Sequence, residues 1–219
     1  MKRIFPLVCC LLILACGSKS IPDWQALGAK QLHGFKQAAL EGKADLAVQH
    51  FRKAVAEVKK SGDLEMLARV YLTRCAVQAA LLEPLDDREY LEIAAVLPQP
   101  DNQAFFTMLK GDPAGVEIGC LPPRYQGFLK AWQRNDPSST RAEIDQMDDP
   151  LAVLIATGLL VKAQQYEAET LNQAVEVSSR NGWKKALLTY LNVQQAYYGR
   201  SGDRARSELI RRKMDLLRD

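Results

Sequence analysis

Two histidines, five cysteines and two acidic clusters are the residues of this chain that could do chemistry. His33 and His50 lie nine residues before and eight residues after Gly42. If a helical hairpin turns at Gly42, both imidazoles stand at a similar height on adjacent helices. A zinc site needs at least a third protein ligand, and the sequence shows none nearby. We therefore expect no metal site and no cofactor.

The acidic clusters are the places where a glycosidase mechanism would be sought. Their members are Asp86, Asp87 and Glu89, then Asp145, Asp148 and Asp149. Glycoside hydrolysis needs two carboxylates facing each other across a sugar, with one of them desolvated so that its pKa is raised. Both clusters fall at predicted helix ends beside prolines, where aspartates commonly cap helices. We expect caps and solvated carboxylates, and therefore no catalytic residues.

Motifs and composition also argue against an enzyme and against a nucleic-acid-binding protein. No GxSxG, HExxH, CxxC, Walker or GxGxxG pattern appears in the chain, so the usual nucleophile, metal and phosphate sites are missing. The 29 Lys and Arg residues are nearly balanced by 26 Asp and Glu residues, for a net charge of +3. Nucleic-acid-binding proteins carry a stronger basic excess. With 219 residues and 47% hydrophobic content, the chain can form one domain with a real core.

The N-terminal residues have the order of a bacterial export signal. Two basic residues precede an apolar run at 4–15, which as a helix spans about 18 Å, less than the roughly 30 Å hydrocarbon core of a bilayer. The sequence Ile-Leu-Ala-Cys-Gly at 13–17 resembles the lipobox of bacterial lipoproteins. This resemblance implies that residues 1–15 are a signal peptide and that Cys16 is the lipid attachment site. The alternative is an ordinary secretory signal.

The residue after the lipidated cysteine predicts the membrane in which the protein is anchored. In enterobacterial sorting, an aspartate at this position retains a lipoprotein in the inner membrane, whereas this chain has Gly17. The resemblance therefore implies an anchor in the outer membrane, with the protein facing the periplasm. Residues 16–22 then form a tether that reaches only about 20 Å when extended. A single folded domain at 23–219 lies close to the membrane.

Helical periodicity dominates the chain after Pro22, and no sustained strand alternation appears. We predict helices at 24–41, 45–60, 64–82, 86–97, 101–109, 123–134, 138–147, 151–164, 167–180, 183–198 and 203–217. Eight of the ten prolines fall within 84–150, so this middle segment is predicted to be irregular, with short helices. Asp112, Asp136 and Asp149 each precede a proline, an order typical of an N-cap followed by the first helical residue.

Two stretches of the chain resemble tetratricopeptide (TPR) repeats. Gly42, Ala47, Phe51 and Ala54 have the spacing of the second half of such a repeat, and residues 197–203 are similar to the turn between TPR helices. The resemblance covers about 29–82 and 166–216. It implies an all-α fold, a right-handed array of stacked antiparallel helical hairpins.

The TPR resemblance also implies a concave groove that binds an extended peptide or a partner helix. Carrying the family positions over one residue at a time places Lys36, Arg69, Thr73 and Asn192 on the inner face of the array. These four residues are the predicted partner contacts. The alternative is that the same positions merely pack against the next helix.

Cys75 and Cys120 are the cysteines whose state the sequence leaves open. An even pair in an exported protein is compatible with a disulfide, which would close a loop of about 45 residues and contribute about 3 to 4 kcal/mol. However, Cys75 lies within a predicted helix among apolar neighbours. A buried free thiol is the other reading.

Taken together, the two resemblances imply a lipid-anchored protein that binds or scaffolds other envelope proteins without catalysing a reaction. Two other classes stay open at this stage. A hydrolase directed at peptidoglycan requires a desolvated carboxylate pair about 5 to 10 Å apart in a cleft. A periplasmic ligand carrier requires a closed apolar cavity. The basic C-terminal helix is either a solvated face or a contact with anionic lipid headgroups or an acidic partner.

Overall fold

A computed structural model describes residues 21–218 of the chain. The predicted signal peptide at 1–15 and the predicted lipid attachment site, Cys16, lie outside these residues, as does most of the tether at 16–22. Within the described part of the chain, every helix is too short or too polar to span a lipid bilayer.

Residues 21–218 form eleven α-helices and one turn of 3-10 helix at Ile118–Cys120, and they contain no β-strand. The α-helices are α1 Asp23–Glu41, α2 Ala44–Lys59, α3 Leu64–Ala80, α4 Arg88–Val96, α5 Pro100–Leu109, α6 Pro123–Gln133, α7 Pro137–Asp145, α8 Pro150–Lys162, α9 Ala168–Arg180, α10 Lys184–Arg200 and α11 Arg204–Arg218. Every predicted helix is present, and each boundary agrees to within two residues. The all-α class is confirmed.

Aspartate caps begin four of the helices, among them α11, where the Asp203 carboxylate accepts the backbone N–H of Arg206 at 3.0 Å. The Asp63, Asp136 and Asp149 carboxylates accept backbone N–H bonds in the first turns of α3, α7 and α8, at 2.9 to 3.0 Å. The helix start predicted at Asp112 is wrong. Its carboxylate accepts the backbone N–H of Gly115 at 3.1 Å, so the side chain closes a local turn instead of capping a helix.

Four helices, α1, α3, α8 and α10, meet at the centre of the protein. From α10, the buried Tyr190 hydroxyl lies 2.8 Å from the Ala80 carbonyl and 2.7 Å from the Leu154 carbonyl. At the start of α10, the Trp183 indole N–H donates to Gln37 on α1 at 2.7 Å. All residues of α8 from 152 to 161 are buried, so this apolar helix is enclosed on most sides.

Helices near both ends of the described chain contribute to this centre. Helices α1 and α2 pack against each other, and so do α9 and α10, and α10 and α11. In a strictly linear array each hairpin contacts only its neighbours in the chain. Here α3 also packs against α8, and α1 against α10. After α3, the short helices α4 to α7 lie away from the centre, and the chain returns to the centre at α8. Helices α5 and α6 form one wall of a groove beside α3.

Candidate partner-binding groove

A groove of about 580 Å³ lies between α1, α3, α5, α6 and α8. Its volume is in the range of binding sites for small ligands or short peptide segments. We call it the α3 groove because α3 contributes the most helical side chains. It is lined by Lys36, Arg69, Leu72, Thr73, Ala76, Asp101, Asn102, Phe105, Gly119, Cys120, Leu121, Pro122, Pro123, Arg124, Tyr125, Leu151 and Ile155.

The floor of the α3 groove is apolar, for a reason visible in the sequence of α3. Positions 69, 72, 73 and 76 have the spacing i, i+3, i+4 and i+7, so they share one face of the helix. Leu72 and Ala76 are buried on this face, and Ile155 of α8 is buried opposite them. Arg69 and Thr73 stand at its more exposed edge. The groove therefore offers an apolar surface bordered by polar side chains.

Two helices begin at the wall of the groove. Pro100 and Pro123 occupy the first turns of α5 and α6, and neither helix has a side-chain cap. The first backbone N–H groups of a helix lack intrahelical partners and carry partial positive charge. Both helix starts therefore add partial positive charge to the wall of the groove.

Asn102 is the polar residue of the groove that the sequence did not single out. It lines the groove on α5 and is only 9% exposed. Its side-chain amide makes no hydrogen bond within residues 21–218, and its polar atoms stay accessible from the groove. An amide can both donate and accept a hydrogen bond. Asn102 is therefore suited to pairing with a group that enters the groove.

Three of the four predicted partner contacts come together in the α3 groove. Lys36, Arg69 and Thr73 all line it, and Asn192 does not, since it lies exposed on α10. Arg69 pairs with Glu65 at 2.5 Å, and the Thr73 hydroxyl donates to the Arg69 carbonyl. Within residues 21–218, Lys36 has no ion-pair partner. Its ammonium group is available to a ligand.

Cys75 and Cys120 are both free thiols in the structure. The Cys75 thiol is buried within α3 and lies 3.5 Å from the Asp86 carbonyl, to which it donates. Burial raises the pKa of Cys75 to about 11. Cys120 instead lines the α3 groove. The disulfide that the sequence left open is not formed.

The Cys120 thiol lines the groove, and its surroundings keep it protonated. Partial burial, together with the carboxylates of Glu117 and Asp101, raises the pKa of Cys120. Because the thiolate is the reactive form, a raised pKa is the opposite of what a nucleophilic enzyme needs. The electrostatics around Cys120 therefore do not favour a thiolate nucleophile at this position.

Removing one of these carboxylate charges tests this description. We expect Asp101→Asn to lower the pKa of Cys120 and so to speed its alkylation by a maleimide at pH 7.5, because less negative charge opposes the thiolate. In the wild type, alkylation should accelerate as the pH rises. The measurement is the rate of adduct formation by mass spectrometry of the full chain. Asp112→Asn is the control, and an equal acceleration in both variants would contradict the assignment to Asp101.

The first acidic cluster supports the fold and has the wrong electrostatics for a general acid. Arg74, whose side chain is 14% exposed, pairs with Asp86 at 3.0 Å and with Glu89 at 2.6 Å. Its guanidinium also lies 5.1 Å from the centre of the Phe51 ring. The hydrogen bond from Arg74 lowers the pKa of Glu89, whereas a general acid needs a raised pKa.

One member of the second acidic cluster and one histidine are also engaged locally. Asp149 caps α8 and pairs with Arg124. The His50 ring is hydrogen-bonded to Gln31 at 2.7 Å and packs against Gly34. Across residues 21–218, no group of three or more His, Cys, Asp or Glu side chains is arranged to hold a metal ion.

No protein-family model matches the chain, and no curated protein or solved structure is detectably similar to it. The inferences below therefore depend on the residues and the geometry of the chain.

Proposed function

We propose that this protein is a lipid-anchored scaffold or assembly adaptor of the bacterial outer membrane, without enzymatic activity, that binds an extended segment of another envelope protein in the α3 groove. The observation that carries this proposal is the convergence of Lys36, Arg69 and Thr73 on that groove. The TPR resemblance predicts these residues as contacts, and they lie on two different helices, α1 and α3. Their meeting in one groove supports the idea that the face has a binding role.

The proposed fold is TPR-like, a right-handed array of stacked antiparallel hairpins. The pairs α1 with α2, α9 with α10, and α10 with α11 support hairpin packing at the two ends of the chain. The contact of α2 with α3 supports stacking of one hairpin on the next. The central contacts of α1 with α10 and of α3 with α8 go beyond those of an open array, in which a hairpin contacts only its neighbours.

The chemistry of the groove suits a peptide segment. Apolar side chains of the segment would lie on Leu72 and Ile155, which are buried in the floor. The Asn102 amide has both a donor and an acceptor, so it can pair with a peptide group of the segment. Lys36 would pair with a carbonyl or a carboxylate. Such a charge-assisted bond is stronger than a neutral one.

The lipid anchor proposed at Cys16 would hold this groove close to the membrane surface. The first described residue is Ile21 and α1 begins at Asp23, so only a short tether would separate the domain from the lipid. The partner would therefore be another protein at the periplasmic face of the outer membrane. Neither alternative function is favoured by a specific observation, because Glu89 has a lowered pKa and the groove is bordered by exposed residues instead of being closed.

A photo-crosslinking amino acid at Thr73 tests the proposal in intact cells. We expect the full chain to form a discrete crosslinked adduct with an envelope protein when the probe is at position 73. A probe at Lys30, which is exposed on α1 outside the groove, should give none. Adding Lys36→Glu should reduce the adduct at least about tenfold, corresponding to about 1.4 kcal/mol of binding free energy, because the charge is reversed beside the bound segment.

The anchor is tested in the same cells by Cys16→Ala. We expect this variant to lose labelling by radioactive palmitate and to lose the adduct at position 73, since the groove no longer reaches its partner. Lys30→Glu is the charge control for Lys36→Glu and should leave the adduct intact. Equal adducts from positions 73 and 30, or an adduct insensitive to Lys36→Glu, would count against a binding role for the groove.

A further inference from the structure

The positive charge of the chain is concentrated in its last helix. Residues 204–218 of α11 contain six Lys or Arg and two acidic residues, a local charge of +4. The whole chain has a net charge of +3, so everything outside α11 sums to −1. The helix is therefore a localised cationic surface on an otherwise nearly neutral protein.

Two leucines of α11 are far more exposed than a soluble helix requires. Leu209 is 67% exposed and Leu216 is 81% exposed. They are seven residues apart, so they lie on the same face, about 10 Å along the axis. The only buried residue of α11 is Met214, which lies on a different face and points toward the protein. The leucines therefore form a separate apolar strip that no described residue covers.

Cationic side chains border this strip on both sides. In a helix with 3.6 residues per turn, Arg212 falls on one side of the Leu209–Leu216 line, and Lys213 and Arg206 fall on the other. Arg211 and Arg212 both form ion pairs with Glu208, whereas Lys213 has no ion pair within residues 21–218. Leucines between rows of Lys and Arg are the pattern of helices that lie in the interface of a bilayer.

We propose that the exposed face of α11 docks onto an anionic lipid bilayer, with Leu209 and Leu216 entering the headgroup region and Lys213 and Arg212 contacting lipid phosphates. The cationic excess of α11 complements the negative surface potential of such a bilayer. The proposed anchor at Cys16 supplies proximity to the membrane, and the docking itself depends on α11 alone. With both attachments, the α3 groove would be held in one orientation relative to the membrane.

The placement of α11 favours a bilayer over an acidic protein as the occupant. Its packing within the described chain is chiefly against α10, and Leu209 and Leu216 are both largely exposed. Two isolated, exposed leucines offer no recess for a partner side chain, whereas lipid headgroups adapt to them. Long Lys and Arg side chains can extend to the phosphates while their methylenes stay with the leucines.

An environment-sensitive fluorescent amino acid at position 209 tests this proposal. The full chain is purified from membranes and reconstituted into two kinds of vesicle, one of phosphatidylcholine and one of phosphatidylcholine and phosphatidylglycerol in equal parts. We expect a blue shift of the probe and its quenching by brominated lipid in the anionic vesicles, with no shift in the neutral ones. High salt should reverse the shift because it screens surface charge.

Matched variants separate docking from attachment. A probe at Val96 of α4, which is 73% exposed, should report water in both kinds of vesicle. Lys213→Glu should abolish the shift at position 209, and Lys130→Glu, at an exposed site on α6, should not. Co-flotation with vesicles measures attachment separately. Flotation without any shift at position 209, or an equal shift in neutral vesicles, would overturn the docking of α11 and leave the anchor proposal standing.

Discussion

Gly158→Ala is expected to lower the free energy of unfolding by about 2 to 3 kcal/mol. Helices α3 and α8 lie close together at this glycine. A Cβ atom at position 158 would lie 2.4 Å from the Ala79 carbonyl oxygen and 3.3 Å from the Tyr190 hydroxyl. Because Ala79 O belongs to the backbone, no side-chain rotation can relieve the overlap. The two central helices would have to separate, which costs more than the better helix propensity of alanine returns.

The measurement is a pair of urea denaturation curves followed by circular dichroism, with the wild-type chain as reference. Gly199→Ala is the matched control, since Gly199 also lies within a helix and its new Cβ would meet only Ser207 Oγ at 3.6 Å. That substitution should be neutral or should stabilise by about 0.5 kcal/mol. If the free energies of unfolding of Gly158→Ala and Gly199→Ala differ by less than about 1 kcal/mol, the result contradicts the close approach of α3 and α8.

Tyr190→Phe should destabilise the protein by about 2 kcal/mol, the cost of a buried polar group left without a partner. The Ala80 carbonyl lies at the end of α3, and the residue that would continue its helical hydrogen bonding is Pro84, which has no N–H. Within the described residues, the Tyr190 hydroxyl is the donor to this carbonyl, at 2.8 Å. Burial raises the pKa of Tyr190 well above its usual range, so the hydroxyl keeps its proton at every physiological pH.

Tyr90→Phe provides the comparison for this hydroxyl. Tyr90 is also buried, at 2% exposed against 0% for Tyr190, and packs against Phe106. Its hydroxyl, however, has no hydrogen-bond partner among residues 21–218. Removing it should therefore change stability by less than about 0.5 kcal/mol. Thermal unfolding of both variants in the same buffer measures the difference in stability. Equal losses of stability would show that the hydrogen bond from Tyr190 to the Ala80 carbonyl makes no specific contribution.

The helices could be predicted because their signals are local. Apolar spacing, aspartates at N-caps and prolines in first turns identify each helix from a window of about one or two turns. Asp136 and Asp149 act as predicted. Asp112 has the same Asp-Pro pattern but closes a turn onto Gly115, because no apolar periodic segment follows it to bury a helix face.

The α3 face of the groove could be predicted for the same reason, whereas the opposite wall could not. Arg69 and Thr73 share a face through the helical period alone. Asn102 and Cys120 lie in the proline-rich middle segment, and only the return of this segment along α3 brings them beside that face. Asn192 was placed by spacing within a C-terminal hairpin, and the packing of α10 against α1 leaves it outside the groove.

Residue order alone was thus sufficient for the helical class, the helix boundaries and the identity of one groove face, since each depends on neighbours within a few turns. The centre of the protein depends on contacts that span the chain. Trp183 bonds Gln37 across 146 positions, and Tyr190 bonds Ala80 across 110. Such pairs have no local signal, because any of several helices could fill the same space. Tertiary packing decides which helices meet. Gly158 permits the close approach of α3 and α8, and the Tyr190 hydroxyl pairs with the otherwise unpaired Ala80 carbonyl.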